Sequence, residues 1–366
     1  MKAAIVQNLA NSMFPRVAPL RECGVDARLF VGYTLKDKQG RPLPDPGQDP
    51  FFLTGECLDW VSYLDFGSLT RPFFYNLNEL SAFDIVHSCC MAPIANQFFL
   101  GGKRFIALAN GSDLRSYCLG RGLKPALLRR AYRRAALVLY VNLDKGTVSA
   151  LEKLKIRHKA RFLEYLIDFP EGPAGGSPPE PREAFELFYP SGLRNRVKGT
   201  SVFLEAFARL VRERPDCRLS LIDHGADRET VRRKVEDIGL GNYVRWHEYA
   251  APARLAGLYR NCDVVVGYFR YGELGVPHYP QVLLEGCYFG KPVVSSYDRA
   301  VVSEHYEDFP VLYAGSPREV FERLVALHDD RDYCAGAGRT AREWFSRNCQ
   351  QEKVTRDLLE IYREVL

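Results

Sequence analysis

The sequence lacks the patterns that mark several classes of protein. No apolar run approaches the roughly 18 residues that a membrane-spanning helix needs. The segment 1–12 has too short an apolar stretch for a secretory signal, so we expect a cytoplasmic protein. The ten cysteines are scattered and form no C-x-x-C pair, which indicates reduced thiols and argues against a disulfide framework or a zinc site.

Three catalytic motifs are also missing. The chain has no G-x-x-x-x-G-K-[ST] phosphate loop, no H-E-x-x-H zinc motif and no G-x-S-x-G nucleophile turn. The sequence therefore does not indicate a phosphate-loop nucleotide hydrolase, a zinc protease or a serine hydrolase.

The composition is that of a globular protein with an uneven charge. Its 366 residues suffice for two domains, and 46% hydrophobic with 26% charged residues is ordinary. Residues 1–170 contain 23 Lys and Arg against 15 Asp and Glu, whereas residues 182–366 contain 27 against 28. The excess positive charge thus belongs to the first half.

Strand and helix patterns alternate in both halves of the chain. In the first half we predict a helix at Phe14–Cys23 and strands at Lys2–Val6, Val25–Phe30, Phe83–Val86, Arg104–Ala109 and Leu137–Val141. In the second half we predict strands at Phe185–Tyr189, Leu219–Ile222, Tyr243–Trp246, Asp263–Val266 and Pro292–Ser295, with helices between them. This order predicts two α/β domains with parallel, helix-covered sheets, 1–170 and 182–349. The segment 169–181, with five prolines and three glycines, is predicted to link them.

One carboxylate stands out in the second half. Pro280 precedes a predicted helix that Gly290 ends, and Glu285 lies in the middle of it among apolar residues. On a solvated helix face such a glutamate needs no function. In a cleft, its two oxygens could accept hydrogen bonds from the hydroxyl pair of a ribose.

Three cations follow the predicted strand Phe185–Tyr189. Arg194, Arg196 and Lys198 lie in a loop that leads into a helix beginning near Thr200. Cations beside the free amides of a helix N-terminus make a diphosphate site. A basic surface turn is the alternative.

The run from Glu285 to Val294 resembles the E-A-hydrophobic-A-x-G-x-P-V-V signature of glycosyltransferase family 4, also called glycosyl transferases group 1. In that family the matching glutamate binds the ribose of the nucleotide. Lys198 and Gly199 match the end of the family pattern G-R-x(4)-K-G, whose cations hold the diphosphate. Leu193 occupies the usual arginine position, so Arg194 or Arg196 must substitute, and Arg196 is favoured.

The resemblance implies the GT-B fold, in which two Rossmann-like doubly wound domains face each other across a cleft. A final helix at about 350–366 would pack back on the first domain. The implied reaction is glycosyl transfer with retained anomeric configuration, from a nucleotide-sugar such as a UDP-sugar to a glycan, a lipid-linked or another acceptor. No cofactor, no metal and no nucleic acid partner is implied.

The chain departs from the family at the first glutamate of E-x(7)-E, because Pro277 stands eight residues before Glu285. Glu273 could reach the same place, or backbone amides around Gly275 could hold the sugar and the β-phosphate. This departure leaves the donor sugar open.

Candidate acceptor and donor groups also follow the predicted strands of the first domain. By resemblance, His87 and Asp113 match family positions at strand ends and would contact the acceptor, although a structural role for each is the alternative. Asn11 and Ser12 follow the first strand and suit a ligand crevice, or one of them caps the next helix.

A basic helix is predicted at Arg121–Ala136. Its apolar stripe leaves Arg129, Arg130, Arg133 and Arg134 on the other side. Such a helix can lie on anionic lipid, which would place the protein at the inner membrane face, or it can be an ordinary solvated surface.

Two other functions remain open. A nucleotide-sugar epimerase on the same fold would need no acceptor. A non-catalytic relative would bind nucleotide-sugar or a partner, an alternative that the missing first glutamate and Leu193 keep open.

Overall fold

The computed structural model describes residues 1–9, 12–33, 35–36, 42–43, 49–65, 77–99, 104–169, 172, 183–248, 252–269 and 279–366. The chain divides into two compact units. The first comprises Met1–Asn142, Gly146–Leu166 and Gln350–Leu366, and the second comprises Leu143–Lys145 and Ile167–Cys349. Among the described residues, no helix is both long and apolar enough to cross a bilayer.

The first unit is built on a seven-stranded parallel sheet in the order β5-β2-β1-β6-β7-β8-β9, with a separate β3–β4 hairpin. Its strands are β1 Lys2–Val6, β2 Asp26–Tyr33, β3 Leu35–Lys36, β4 Pro42–Leu43, β5 Val61–Asp65, β6 Ile85–Cys89, β7 Phe105–Ala109, β8 Leu137–Tyr140 and β9 Ala160–Phe162. Its helices are α1 Phe14–Glu22, α2 Pro50–Thr54, α3 Leu77–Ser81, α4 Ala92–Phe99, α5 Leu123–Arg134 and α6 Lys145–Lys153, with a π-helical turn at Asp113–Tyr117 and a 3₁₀ turn at Arg157–Lys159.

The second unit is built on a six-stranded parallel sheet in the order β12-β11-β10-β13-β14-β15. Its strands are β10 Phe185–Tyr189, β11 Cys217–Ile222, β12 Val244–His247, β13 Val264–Val266, β14 Val293–Ser295 and β15 Leu312–Tyr313. Its helices are α7 Asn195–Lys198, α8 Thr200–Glu213, α9 Arg228–Asp237, α10 Pro252–Arg260, α11 Gln281–Tyr288, α12 Arg299–Ser303, α13 Pro317–Asp329 and α14 Arg331–Asn348, with a 3₁₀ turn at Gly241–Tyr243. The last helix of the chain, α15 Gln351–Val365, belongs to the first unit.

Both units are α/β with parallel main sheets, which confirms the predicted fold class. The central strands are continuously buried, as in β7 and β10, because helices leave little of a parallel sheet exposed. Helix α15 contributes Leu358 and Tyr362 to the apolar core around β1 and β6. Its strong apolar stripe therefore faces the first unit.

The order of the strands shows which loops lie where a ligand is expected to bind. In the second sheet the order reverses between β10 and β13, which are paired neighbours. Ligands of doubly wound folds bind outside the carboxyl ends of the strands at such a point. In the first sheet the corresponding neighbours are β1 and β6.

Two predicted boundaries are corrected by the structure. The strand predicted at Phe83–Val86 is Ile85–Cys89, which puts His87 inside the strand and not after it. Phe169 was predicted to begin the linker, but its ring packs 4.9 Å from that of Phe289 and 5.9 Å from that of Tyr259. Apart from Phe169 and Gly172, the predicted linker lies outside the described residues.

Helix α14 packs closely on the end of α11, and two glycines of α14 differ in what surrounds them. A Cβ added at Gly338 would overlap the carbonyl oxygen of Gly290, whereas one at Gly336 would meet only the guanidinium end of Arg339 at 3.7 Å. Backbone oxygen cannot move aside as a flexible side chain can. Close packing of α14 therefore depends on Gly338.

We predict opposite effects of alanine at these two positions. Gly336→Ala should raise the free energy of unfolding by about 0.5–1 kcal/mol, because alanine favours a helix interior. Gly338→Ala should lower it by about 1–3 kcal/mol, because α14 must move from α11. Urea unfolding of both variants measures the difference, and equal effects would contradict the close approach.

Candidate functional site

The candidate donor site lies where β10 and β13 end. Lys198 is the last residue of α7, which follows β10, and its carbonyl accepts a hydrogen bond of 2.9 Å from the amide of Phe269, which follows β13. Gly199 has φ +65°, and a Cβ there would overlap the Phe269 carbonyl oxygen. The Lys198–Gly199 pair is therefore fixed against the end of β13, and only glycine fits.

Glu285 lies on α11 with both carboxylate oxygens engaged. The Tyr259 hydroxyl donates to one oxygen, and the Gln281 side-chain amide donates to the other at 3.0 Å. Burial raises the pKa of Glu285, while these two hydrogen bonds and the charge of Lys198 act to lower it. The partly buried carboxylate is thus held in one orientation by two donors, unlike a glutamate on a fully solvated helix face.

The structure brings Lys198 and Glu285 into one site. The Lys198 ammonium lies 5.0 Å from the centre of the Tyr268 ring, and its charge acts on Glu285. A fixed carboxylate beside a cation offers acceptors for hydroxyl groups and neutralisation for an anion. These are the needs of a nucleotide diphosphate.

The turn before α7 explains the departure at Leu193. Leu193 is fully buried, its amide donates to the carbonyl of His224 at 2.6 Å, and its carbonyl accepts from the amide of Asp227 at 3.0 Å. Arg194 begins α7 and is exposed, so its guanidinium is available at this edge. Arg196 lies in α7, but its side chain is outside the described part of the structure. Glu273 and Gly275 are outside the described residues altogether.

His87 does not reach a surface of the first unit. It is fully buried in β6, and its Nδ1 lies 2.9 Å from the hydroxyl of Tyr362 on α15. Burial, with the nearby charge of Arg16, lowers the pKa of His87 to about 3, so the ring is neutral. The structure thus corrects the expected acceptor contact: His87 tethers the C-terminal helix.

Asp113 holds the loop that follows β7. Its carboxylate accepts hydrogen bonds from the amides of Asn110, Gly111 and Leu114 at 2.8–3.1 Å, and from the Tyr132 hydroxyl at 3.1 Å. Burial raises its pKa against the effect of these bonds. Since both oxygens serve the loop, the geometry supports positioning of the loop and not a direct bond to an acceptor.

The chain after β1 is held by Asn8, which the sequence analysis did not predict as a site residue. Asn8 is buried, and its side-chain oxygen accepts from the amides of Met13 and Phe14 at 3.1 and 2.8 Å, which caps α1. Ser12 is also buried, with 6% exposure, and is not the cap. Asn11 lies outside the described residues.

The four predicted basic residues of α5 do not behave alike. Arg129 donates to the carbonyls of Cys118 and Gly120 at 2.5 and 2.8 Å, and Arg133 donates to the carbonyl of Leu154 at 3.4 Å. Arg130, Arg133 and Arg134 are exposed, whereas Arg129 is partly buried. The bonds of Arg129 and Arg133 therefore stabilise the first unit itself.

Residues 178–344 match the family model described as glycosyl transferases group 1. This part of the chain is similar to a group 1 glycosyltransferase domain. The match spans most of the second unit, including Lys198 and Glu285, and with the fold it indicates a glycosyltransferase. No curated protein sequence matches the chain significantly.

Solved structures share the fold of this glycosyltransferase at low sequence identity. HepE (Alr3699) from Anabaena, in complex with UDP and glucose, is 15% identical with a TM-score of 0.71, and all of both chains is covered. Sucrose-phosphate synthase from Thermosynechococcus elongatus is 13% identical with a TM-score of 0.71, over 100% of this chain and 99% of that one. A putative UDP-N-acetylglucosamine 2-epimerase from Listeria monocytogenes is 16% identical with a TM-score of 0.60, over 98% and 94%. The fold is GT-B, and it does not by itself separate transfer from epimerisation.

The residues that position Lys198 and Glu285 in the candidate site were not predicted from the sequence. Tyr259 and Gln281 orient Glu285, and Tyr268 lies beside Lys198. Gln281 could have been found, because it stands four residues before Glu285 on one helix. Tyr259 and Tyr268 carry no local signal, since strand pairing brings them to the site.

We predict that Gly199→Ala lowers the free energy of unfolding by more than its left-handed backbone conformation alone would cause. Gly239, at φ +76° with no atom within 4 Å of an added Cβ, is the matched control. Gly239→Ala should cost about 1–2 kcal/mol for the left-handed conformation alone. Gly199→Ala should cost more, because the Phe269 carbonyl must also move, and equal losses in urea unfolding would refute this.

Proposed function

We propose that the protein is a retaining glycosyltransferase of family 4 that transfers a sugar from a UDP-sugar to a hydroxyl group of a glycan or lipid-linked acceptor. The observation that carries the proposal is the pairing of Lys198 with the oriented carboxylate of Glu285 at the carboxyl ends of β10 and β13. The match over residues 178–344 supports it. So does the UDP named in the complex of HepE.

In this proposal Glu285 holds the ribose. Its oxygens, each already held by one donor, have further lone pairs that accept from the two ribose hydroxyls. The aromatic neighbours Tyr259 and Phe289, whose rings stack at 5.0 Å, exclude water from behind the carboxylate. A hydrogen bond to a desolvated charge is stronger than one at the surface.

Lys198 stabilises the departing diphosphate. The bond from the anomeric carbon to the β-phosphate oxygen breaks, and a bond from that carbon to the acceptor oxygen forms on the same face. The acceptor proton passes to the departing phosphate oxygen. Negative charge grows on the diphosphate as the bond breaks, and Lys198 with Arg194 or Arg196 would offset it by a few kcal/mol, so the proposal requires no divalent ion.

Turnover separates this function from its alternatives. Incubation with UDP-sugars and an acceptor should release UDP and give a glycosylated product. Release of a changed free sugar without any acceptor would favour an epimerase, the activity named for the Listeria structure. Binding without turnover would favour a non-catalytic relative.

We predict that alanine at the two site residues affects different steps. Lys198→Ala should lower turnover about 100- to 1000-fold, as removal of one preorganised donor does elsewhere. Glu285→Ala should mainly weaken UDP binding, by about 1–3 kcal/mol, because the ribose loses its acceptor. Calorimetry with UDP and initial rates of UDP release measure the two effects.

A lysine of the same unit supplies the control. Lys234 forms an exposed ion pair with Glu205 at 2.5 Å, and such pairs contribute little. Lys234→Ala should therefore leave UDP affinity and turnover unchanged. Normal affinity and turnover in both site variants would overturn the donor-site assignment.

We further propose that the first unit touches an anionic membrane through a surface of Tyr117, Leu119, Arg121, Leu123 and Lys124. Leu123 is 75% exposed at the start of α5, and Tyr117 and Leu119 are 39% and 37% exposed. Arg121 and Lys124 are exposed beside them. Exposed apolar side chains flanked by cations suit an interfacial contact, with Arg130 and Arg134 adding charge from the same helix.

We predict that sedimentation with anionic vesicles falls as salt rises, because the attraction is electrostatic. Leu123→Ser and Arg130→Gln with Arg134→Gln should each reduce it. The matched control is Arg318→Gln with Arg339→Gln, which removes the same charge from exposed positions of the second unit. Equal loss in the control, or equal binding to neutral vesicles, would contradict this surface.

A further inference from the structure

Three potential metal ligands meet at the amino-terminal edge of the second sheet. Asp216 and Cys217 stand at the start of β11, and His328 lies in the last turn of α13. One ligand atom from each lies within 4.8 Å of the others. Lys198 follows the carboxyl end of β10, so this cluster is at the opposite edge of the sheet from the donor site.

The ring of His328 is held between two carboxylates. Its Nδ1 lies 2.7 Å from Asp329, and its Nε2 lies 3.0 Å from each oxygen of Asp216. A neutral imidazole has one N–H and can donate to only one of these groups. The other nitrogen then faces a carboxylate with its lone pair, and a metal ion between these two groups would bind both.

Asp329 is held in place beside the ring. Its two oxygens accept from the Arg214 guanidinium at 2.7 and 2.6 Å, so it can accept from Nδ1–H in a fixed position. In that tautomer the lone pair of Nε2 is on the side of Asp216. A carboxylate that orients a histidine in this way is the usual support of a metal ligand.

We propose that Cys217, His328 and Asp216 bind a divalent transition metal, with Zn²⁺ the best fit. Thiolate sulfur, imidazole nitrogen and a carboxylate oxygen are the ligands that Zn²⁺ takes, and water completes a tetrahedron. With ordinary bond lengths such an ion holds its ligand atoms about 3.3–3.6 Å apart. Shifts of a few tenths of an ångström up to about 1 Å bring the present atoms to that spacing.

An ion can reach this cluster from solvent. The Asp216 side chain is 43% exposed and that of His328 is 13% exposed, while Cys217 is fully buried behind them. Asp216 also lines a groove of about 610 Å³ on the same unit. The charge of Arg331 acts on Asp216, so the ion must compete with it. Bound metal would join the start of β11 to the end of α13.

Cobalt titration of the full chain tests this site, because Co²⁺ replaces Zn²⁺ and absorbs in the near ultraviolet when a thiolate binds it. We expect one equivalent to produce this absorption in the wild-type protein and one equivalent of Zn²⁺ to abolish it. Cys217→Ser should lose the absorption. Asp216→Asn should weaken binding at least 10-fold, and Asp329→Asn about 10- to 100-fold through the loss of orientation.

Cys262 is the matched control for the thiol, since it is buried in the same unit and lines the same groove. Cys262→Ser should bind cobalt as the wild type does. No thiolate absorption in the wild type, or equal loss in Cys262→Ser, would overturn the site and leave His328 as a hydrogen-bonded bridge between Asp216 and Asp329. Asp216→Asn changes a partly exposed side chain without loss of volume, so it tests the site even if Cys217→Ser fails to fold. None of these readouts depends on glycosyl transfer.

Discussion

The close approach of Gly199 to the carbonyl of Phe269 is the contact on which the donor site depends. It joins the segment after β10 to the segment after β13, the two strands between which the sheet order reverses. A side chain at position 199 would force these segments apart. Because they meet, Lys198 lies beside Tyr268 and its charge acts on Glu285. Backbone packing thus sets the position of Lys198, the cation proposed to stabilise the diphosphate.

Glu285 shows how the second unit keeps a carboxylate in an apolar environment. Burial favours the neutral acid, and hydrogen bonds from Tyr259 and Gln281 with the charge of Lys198 favour the anion. Gly286, the next residue, lets α11 lie directly against β13 and β14, where a Cβ would overlap Val293. The helix therefore carries Glu285 to the sheet without freedom to swing into water. Under the proposed function, the carboxylate is therefore oriented before a nucleotide binds.

The first unit uses its polar groups differently. His87 supports the C-terminal helix, Asp113 holds the loop after β7, and Asn8 caps α1. Each lies at or near the carboxyl edge of the sheet, where a ligand group would also be expected. These side chains shape the loops of that edge of the sheet and are not themselves exposed to bind a ligand.

The sequence by itself determined the two parallel α/β units, because apolar periodicity and glycines at helix ends lie within short windows. Lys198 and Glu285 could be proposed as donor-site residues because the motifs that resemble the family pattern are also short. Only the tertiary structure decided that His87 is buried, since its strand runs three residues beyond the predicted end. It also decided that Tyr259 holds Glu285 and that His328 meets Asp216 and Cys217. Those contacts join segments 26 to 112 residues apart. Strand order and register bring them together, and no local pattern encodes either.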